Sequence, residues 1–291
     1  MTTILKTMNL KKRLADEKIL IALGGYDALS AKIADQSGAE AVYMSGSSVA
    51  GSVTGESDVG LTTMTEMATR AHQMASTISV PLITDADTGY GNPLNVRRTV
   101  QEFERAGVTA IQIEDQTFPK RCGHFEGKDV ISSAEFEQKV HAAVDARESD
   151  EFLIVARTDA AAVHGIDEAI KRAQRYKGAG ADISFVEAPT SVEEMERITE
   201  EVPGPHIANM ATGGKTPIRP ADELEDIGYD IALYAAEAFR GAVKTFQEIF
   251  NSILDNGSQE EIVDDIIGFN KRNEILGFDK WIEYEQEYAV D

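Results

Sequence analysis

A chain of 291 residues with 42% hydrophobic and 27% charged side chains has enough apolar material for a large core, which excludes a disordered tail or a fibrous repeat. Its 50 Asp and Glu against 28 Lys and Arg give a formal net charge of −22, so nucleic acid and anionic membranes are excluded as expected partners, because a phosphate surface calls for a basic face. One cysteine, Cys122, rules out an intrachain disulfide framework and any multi-thiolate metal site. Without a signal-peptide pattern or an apolar run of about 18 residues, a cytoplasmic protein is expected.

In chain order, short β-rich apolar runs fall at 19–23, 41–44, 81–84, 110–113, 152–156, 183–186, 206–208 and 231–234. Helical spacing follows each, near 27–37, 64–78, 93–106, 133–148, 166–179, 192–201, 221–227 and 237–255, with a further helix near 258–275. Thr63 with Glu66, Ser132 with Glu135 and Ser191 with Glu194 predict three capping boxes. Alternating strands and helices imply parallel pairing, and eight repeats predict an α/β (β/α)8 TIM barrel over 1–257, with 258–291 as a C-terminal helical appendage of the same domain. The rival doubly wound sheet usually has fewer strands and often a phosphate-cradling turn, whereas Leu23-Gly24-Gly25-Tyr26 is no G-x-G-x-x-G.

A barrel of this kind works at the carboxyl ends of its strands, and those ends are polar here. They read Ser45-Gly46-Ser47-Ser48, Asp85-Ala86-Asp87, Glu114-Asp115-Gln116, Arg157-Thr158-Asp159, Glu187 and Asn209, with the eighth strand leading through Tyr234 toward Arg240. Asp85 and Asp87, two apart, are expected to leave one face of the pleat, with Glu114 beside them. Three carboxylates without a His or thiolate cluster suit Mg²⁺, or Mn²⁺, rather than Zn²⁺; the alternative is a hydrogen-bonded carboxylate network over the barrel mouth. Arg157 offers a planar fork for a substrate carboxylate or an internal ion pair with Glu187 or Asp159. The segment Pro119-Lys120-Arg121-Cys122-Gly123-His124 places a thiol in a cationic loop, a setting that favours the thiolate and proton transfer, against the plainer reading of a small buried side chain. His72, His141, His164 and His206 lack partner spacing and are read as structural.

Together Tyr43-Met44-Ser45-Gly46-Ser47, Asp85-Ala86-Asp87-Thr88-Gly89-Tyr90-Gly91, Glu114-Asp115-Gln116, Lys120-Arg121-Cys122-Gly123-His124 and Arg157-Thr158-Asp159-Ala160 resemble the signatures of the phosphoenolpyruvate mutase/isocitrate lyase superfamily. The resemblance implies a Mg²⁺-dependent barrel, commonly a homotetramer, with a C-terminal helix exchanged between subunits. It implies Asp85 on the metal with Asp58, Asp87 and Glu114 supporting through water. Ser45, Gly46 and Ser47 would hold an α-keto-acid half and Arg157 its carboxylate, with Gly123 also at the substrate and His124 among the catalytic residues. Cys122 would protonate the departing carbanion, and Tyr43 and Lys120 would relay protons. Glu187, Asn209, Arg240 and Arg272 match positions that contact the succinate half in methylisocitrate lyases, whereas Gly213-Gly214-Lys215-Thr216-Pro217 resembles dimethylmalate lyase-like members. The expected activity is cleavage of 2-methylisocitrate to pyruvate and succinate. The alternatives are a 2,3-dimethylmalate or related 2-hydroxy-acid lyase (isocitrate lyase-like), a carboxyphosphonoenolpyruvate/phosphoenolpyruvate phosphonomutase, and a catalytically silent barrel.

Overall fold

The computed structural model describes residues 9–16, 18–121, 123 and 127–290. Eight strands form one parallel sheet: β1 (Leu20–Gly25), β2 (Ala41–Met44), β3 (Leu82–Asp85), β4 (Ala110–Glu114), β5 (Leu153–Thr158), β6 (Ile183–Val186), β7 (Ile207–Asn209) and β8 (Ile231–Tyr234). Their order is β6-β5-β4-β3-β2-β1-β8-β7, and a parallel bridge from Ser184 to His206 links the two ends. The result is the expected nearly closed barrel. Around it lie α1 (Leu10–Arg13), α2 (Ala28–Gln36), α3 (Gly46–Thr54), α4 (Met64–Ala75), α5 (Pro93–Arg105), α6 (Ser133–Ala146), α7 (Ala160–His164), α8 (Ile166–Gly178), α9 (Val192–Glu201) and α10 (Ala221–Ile227). The chain continues into α11 (Glu237–Asn256), a 3₁₀ turn (Glu260–Ile262), α12 (Phe269–Leu276) and α13 (Phe278–Glu287).

Strand alternation sorts the apolar residues into two layers. Leu20, Ala22, Ala41, Ile83, Ala110, Leu153, Val155, Ile183 and Ile231 fill the barrel interior, with Leu10 of α1 packed into the same cluster. Val42, Met44, Leu82, Ile111, Ile113 and Ile154 face outward onto Met67, Val100, Phe103, Phe136 and Tyr176 of the helices. His206 is structural as expected: its buried ring lies 2.9 Å from the Val202 carbonyl, edge-on to Tyr229. On β1 and α2 the packing is incomplete, for Ile21, Leu29 and Ile33 are 39%, 48% and 43% exposed. Leu29 and Ile33, with Tyr26 and Tyr234, line a groove of about 350 Å³.

Contacts divide the chain into one compact unit up to Phe239 and a second from Arg240. In the second, the anticipated continuous helix over 258–275 is replaced by the 3₁₀ turn and α12, which starts only after Gly268. The pattern-based reading also missed α13, which Gly277 starts at a φ of 73°, together with the short α1, α3 and α7. Thr63 and Glu66 form a complete capping box, but Ser132 and Ser191 cap from the hydroxyl side only. Glu194 is diverted to the Thr190 amide and hydroxyl, at 2.6 and 3.0 Å. Asp27 with Ser30, and Asn92 with Asn95, complete boxes without a Glu or Gln at the third position, which hides them from that signature. Among the described residues no helix is long and apolar enough to cross a membrane.

Candidate active site

The strand ends converge on a cavity of about 90 Å³, lined by Tyr43, Ser45, Ser47, Asp58, Asp85, Glu114, Lys120, Arg121, Gly123, Arg157, Phe185, Glu187 and Asn209 and by an apolar wall of Ala211, Leu233, Ala235 and Ala236. That is room for a handful of waters or a small acid. Ser45 ends the β2 turn, and its hydroxyl accepts from the Ser48 amide to cap α3. The unbonded first-turn amides of α3 and its positive dipole end therefore start beside the cavity, a setting for an anion. Gly46 is required there, since a Cβ at this position would lie 2.5 Å from Asp85 Oδ2.

Asp85 and Asp87 do not follow the simple two-residue alternation. The strand stops at Asp85, and Asp87 adopts a left-handed φ of 46°. Asp85 Oδ1 accepts from the Asp87 amide at 3.1 Å, while the Asp87 carboxylate turns to Lys120 Nζ at 2.8 Å. Lys120 also pairs with Asp58 Oδ1 at 2.5 Å. Burial is the main cause that pushes Asp87 up to about 6 and raises Asp85, with Lys120 opposing in both cases. The carboxylates around Lys120 outweigh its own burial and hold it well above the ordinary lysine range.

Arg157 faces Glu114 across the β4–β5 register. Its guanidinium grips Asp159 with two bonds of 2.9 and 3.0 Å, meets Glu187 at 3.2 Å and Glu114 at 3.3 Å, and lies over the Phe185 ring. The internal ion pairs with Asp159 and Glu187 are present, and the guanidinium also lines the cavity. Glu114 rises well above the carboxylate range because burial outweighs Arg157, and its Oε1 has no hydrogen-bond partner among the described residues. Tyr43 donates to Gln112 Oε1 at 2.9 Å; burial first, then Asp85, raises its phenol well above the ordinary value. Gln112 was overlooked, although a polar residue inside the apolar run 110–113 is the available signal.

The three residues that finish β4 and enter the loop have three different destinations. Glu114 lines the cavity. Asp115 binds the Thr158 hydroxyl, the Asp159 amide, Arg172 and the Tyr176 hydroxyl on the outer side. Gln116 clamps Arg121 through both main-chain groups, at 2.9 and 3.0 Å. Lys128 ties Asp159 to the Gly123 carbonyl, and a Cβ at Gly123 would lie 2.4 Å from Arg157 Nη2. Cys122 and His124 fall outside the described residues. Asn209 reaches Glu187 at 3.3 Å. Arg240 and Arg272 belong to the second compact unit, where Arg272 lies over the Phe269 ring.

Among the described residues no three carboxylates close on a single point. Dispersed oxygens of Asp85, Asp58 and Asp87, with the unpartnered Glu114 Oε1, fit a dication that keeps several of its waters and takes few direct protein bonds. Mg²⁺ answers that description and Zn²⁺ does not.

The family model of phosphoenolpyruvate phosphomutase matches residues 10–254. The chain is 44% identical over 281 residues to a 2,3-dimethylmalate lyase of Eubacterium barkeri, covering 97% of each chain. It is 40% identical to a 2-methylisocitrate lyase of Aeropyrum pernix, over 96% of this chain and 90% of that one. A solved phosphonopyruvate hydrolase in complex with oxalate and Mg²⁺ superposes with a TM-score of 0.87 at 30% identity, covering 98% of this chain and 99% of the other.

Proposed function

The chain belongs to the phosphoenolpyruvate mutase/isocitrate lyase superfamily, and from that premise we propose that it is a Mg²⁺-dependent carbon–carbon lyase that splits a 2-methyl-2-hydroxy acid into pyruvate and a second acid. The observation that carries the reading is the convergence of Ser45, Asp85, Glu114, Lys120, Arg157 and Glu187 on one cavity at the strand ends. Bound by Asp85, with Asp58, Asp87 and Glu114 acting through water, Mg²⁺ would neutralise charge on the keto-acid oxygens. Ser45, Ser47 and the first amides of α3 hold the keto-acid half, and Arg157, oriented by Asp159, faces its carboxylate.

Cleavage removes the proton of the C2 hydroxyl, forms the C2=O bond and breaks C2–C3, leaving the electron pair on the second fragment. Cys122 returns a proton to that carbon, with His124 as a further catalytic candidate. Tyr43 is a neutral phenol at rest, so it donates rather than accepts. Lys120, an ammonium between Asp58 and Asp87, is the second relay candidate beside Tyr43.

Two substrates compete. For 2-methylisocitrate, the family resemblance assigns Arg240 and Arg272 to the additional carboxylates, alongside Glu187 and Asn209. For 2,3-dimethylmalate, the smaller dicarboxylate, support comes from the uncharged wall of Ala211, Leu233, Ala235 and Ala236. Coupled detection of pyruvate over a panel of 2,3-dimethylmalate, 2-methylisocitrate, isocitrate and phosphonopyruvate separates them: turnover of phosphonopyruvate alone would replace the lyase with a mutase or hydrolase, and no turnover or Mg²⁺ binding at all would leave a silent barrel.

The proposal extends to assembly, as a homotetramer with C-terminal exchange. α11 buries none of its residues, and its Phe246 and Phe250, stacked at 6.1 Å, are 53% and 60% exposed. On the barrel, Leu29 and Ile33 are exposed apolar side chains that line a groove. A second copy of the chain is the proposed cover for such surfaces, with 258–291 as the exchanged appendage.

A further inference from the structure

The loop that carries Asp87 is held in a backbone shape that L-residues resist. Asp87 and Tyr90 have φ of 46° and 59°, and Gly89 and Gly91 have 81° and 144°. Left-handed non-glycine residues persist only where their surroundings over-determine them. The β4 amide of Glu114 donates to the Asp87 carbonyl at 2.9 Å. The Thr99 hydroxyl of α5 lies 3.2 Å from the Gly89 carbonyl and 3.0 Å from the Asn95 carbonyl of its own helix, so it shares one proton between them. Between these two contacts, Lys139 of α6 reaches inward and donates to the Thr88 carbonyl at 3.0 Å.

Lys139 is a strange residue for that position. It is 5% exposed, amid buried Phe136, Val140 and Ala143 on its own helix, and burial lowers its pKa. A methionine would fill the volume without the cost of desolvating an ammonium, so packing alone does not account for the charge. What the charge supplies is a strong bond to a main-chain carbonyl one residue from Asp87. That bond, with the Thr99 hydroxyl, fixes the turn that aims the Asp87 carboxylate at Lys120 and leaves Asp85 Oδ1 on the Asp87 amide.

We propose that Lys139, assisted by Thr99, is a positioning residue for the Mg²⁺ site, holding the Asp87 turn from the outer helices without touching metal or substrate. The inference rests on the Mg²⁺-dependent reading above and adds to it a distant determinant of metal affinity. Loss of an outer partner of this kind weakens metal binding by about 10–100-fold.

The test is calorimetric titration of Mg²⁺ into the wild type, Lys139→Met, Thr99→Val and Ala143→Gly, with the melting temperature of each. Ala143→Gly loosens the same helix at a buried site away from the loop. The expected result is an affinity loss of about 10-fold or more in Lys139→Met and a smaller loss in Thr99→Val, with Ala143→Gly melting earlier but binding within twofold of wild type. Wild-type affinity in Lys139→Met would overturn the proposal, as would an equal loss in Ala143→Gly, which would make the effect one of general helix stability. Should Lys139→Met fail to fold, Thr99→Val decides alone: unchanged affinity there overturns the proposal, and weakened affinity upholds it. A wild type that takes no Mg²⁺ would instead remove the metal reading itself, along with this inference.

Discussion

Replacing Gly46 by alanine adds one methyl at the first residue of α3. The new Cβ would stand 2.5 Å from Asp85 Oδ2, 2.9 Å from Cγ and 3.3 Å from Cβ. Ordinary contact begins near 3.4 Å, so the carboxylate has to retreat by about 0.9 Å. The strand cannot move with it, because the Ala86 amide is bonded to the Gln112 carbonyl at 2.8 Å. A misplacement of about 1 Å at a reacting centre costs on the order of 10²-fold in rate, and Mg²⁺ affinity should fall by at least about tenfold. Helix propensity works the other way, since alanine is favoured over glycine by up to about 1 kcal/mol. Gly46→Ala is therefore expected to keep the melting temperature while losing metal and turnover together. Calorimetry, a pyruvate-release assay and a thermal melt on one preparation check all three. Wild-type affinity and rate would refute the crowding argument, and a collapse of the melting temperature would show the damage to be one of folding.

Burial holds His206 down at about 4. Its folded pKa lies below the unfolded value, so its contribution is present above about 6.5 and is lost as pH falls toward 4, by up to about 3 kcal/mol. Denaturant titrations across that window should show His206→Gln with a flatter pH dependence than wild type; parallel curves would exclude the histidine. Cys122→Ser should fold and bind Mg²⁺ but lose about 10²–10⁴ in turnover, and a near-normal rate would pass the proton-donor role to Tyr43 or Lys120. Deleting 258–291 should give monomers or aggregates in sedimentation, whereas a fully active tetramer would show that the tail is no clasp.

The barrel was legible because its signal is repetitive: β2, β6 and β8 fall where the apolar runs predict, and the other strands shift by one or two residues. Local chemistry read less well. α3 lies in Gly46-Ser47-Ser48, which composition presents as a turn, and only the Ser45 cap and the Asp85 contact show why a helix begins there. Asp85 and Asp87 were correctly paired in sequence, but the pleat argument failed at the strand end, where a left-handed residue breaks the alternation. The ion pairs of Arg157 were foreseen as alternatives, yet no spacing rule reveals that Asp159, Glu187 and Glu114 share one guanidinium. Lys139 lies 51 residues from its Thr88 partner, and a lysine in an amphipathic helix reads as solvated.

The two sides of the cavity differ in how far they tolerate change. On the β4–β6 side Arg157 fastens Glu114, Asp159 and Glu187 together, and Asp115 fastens that side to α8 through Arg172 and Tyr176. One replacement there strands a buried ion and propagates outward, at a typical cost of about 3–5 kcal/mol. Across the cavity, Ala211, Ala235 and Ala236 are small side chains with no polar partner to lose. Enlarging or polarising them alters what fits without unfastening the charged half. Diversification of this barrel toward new acids, by natural drift or by a directed library, therefore has its open ground on the β7–β8 side.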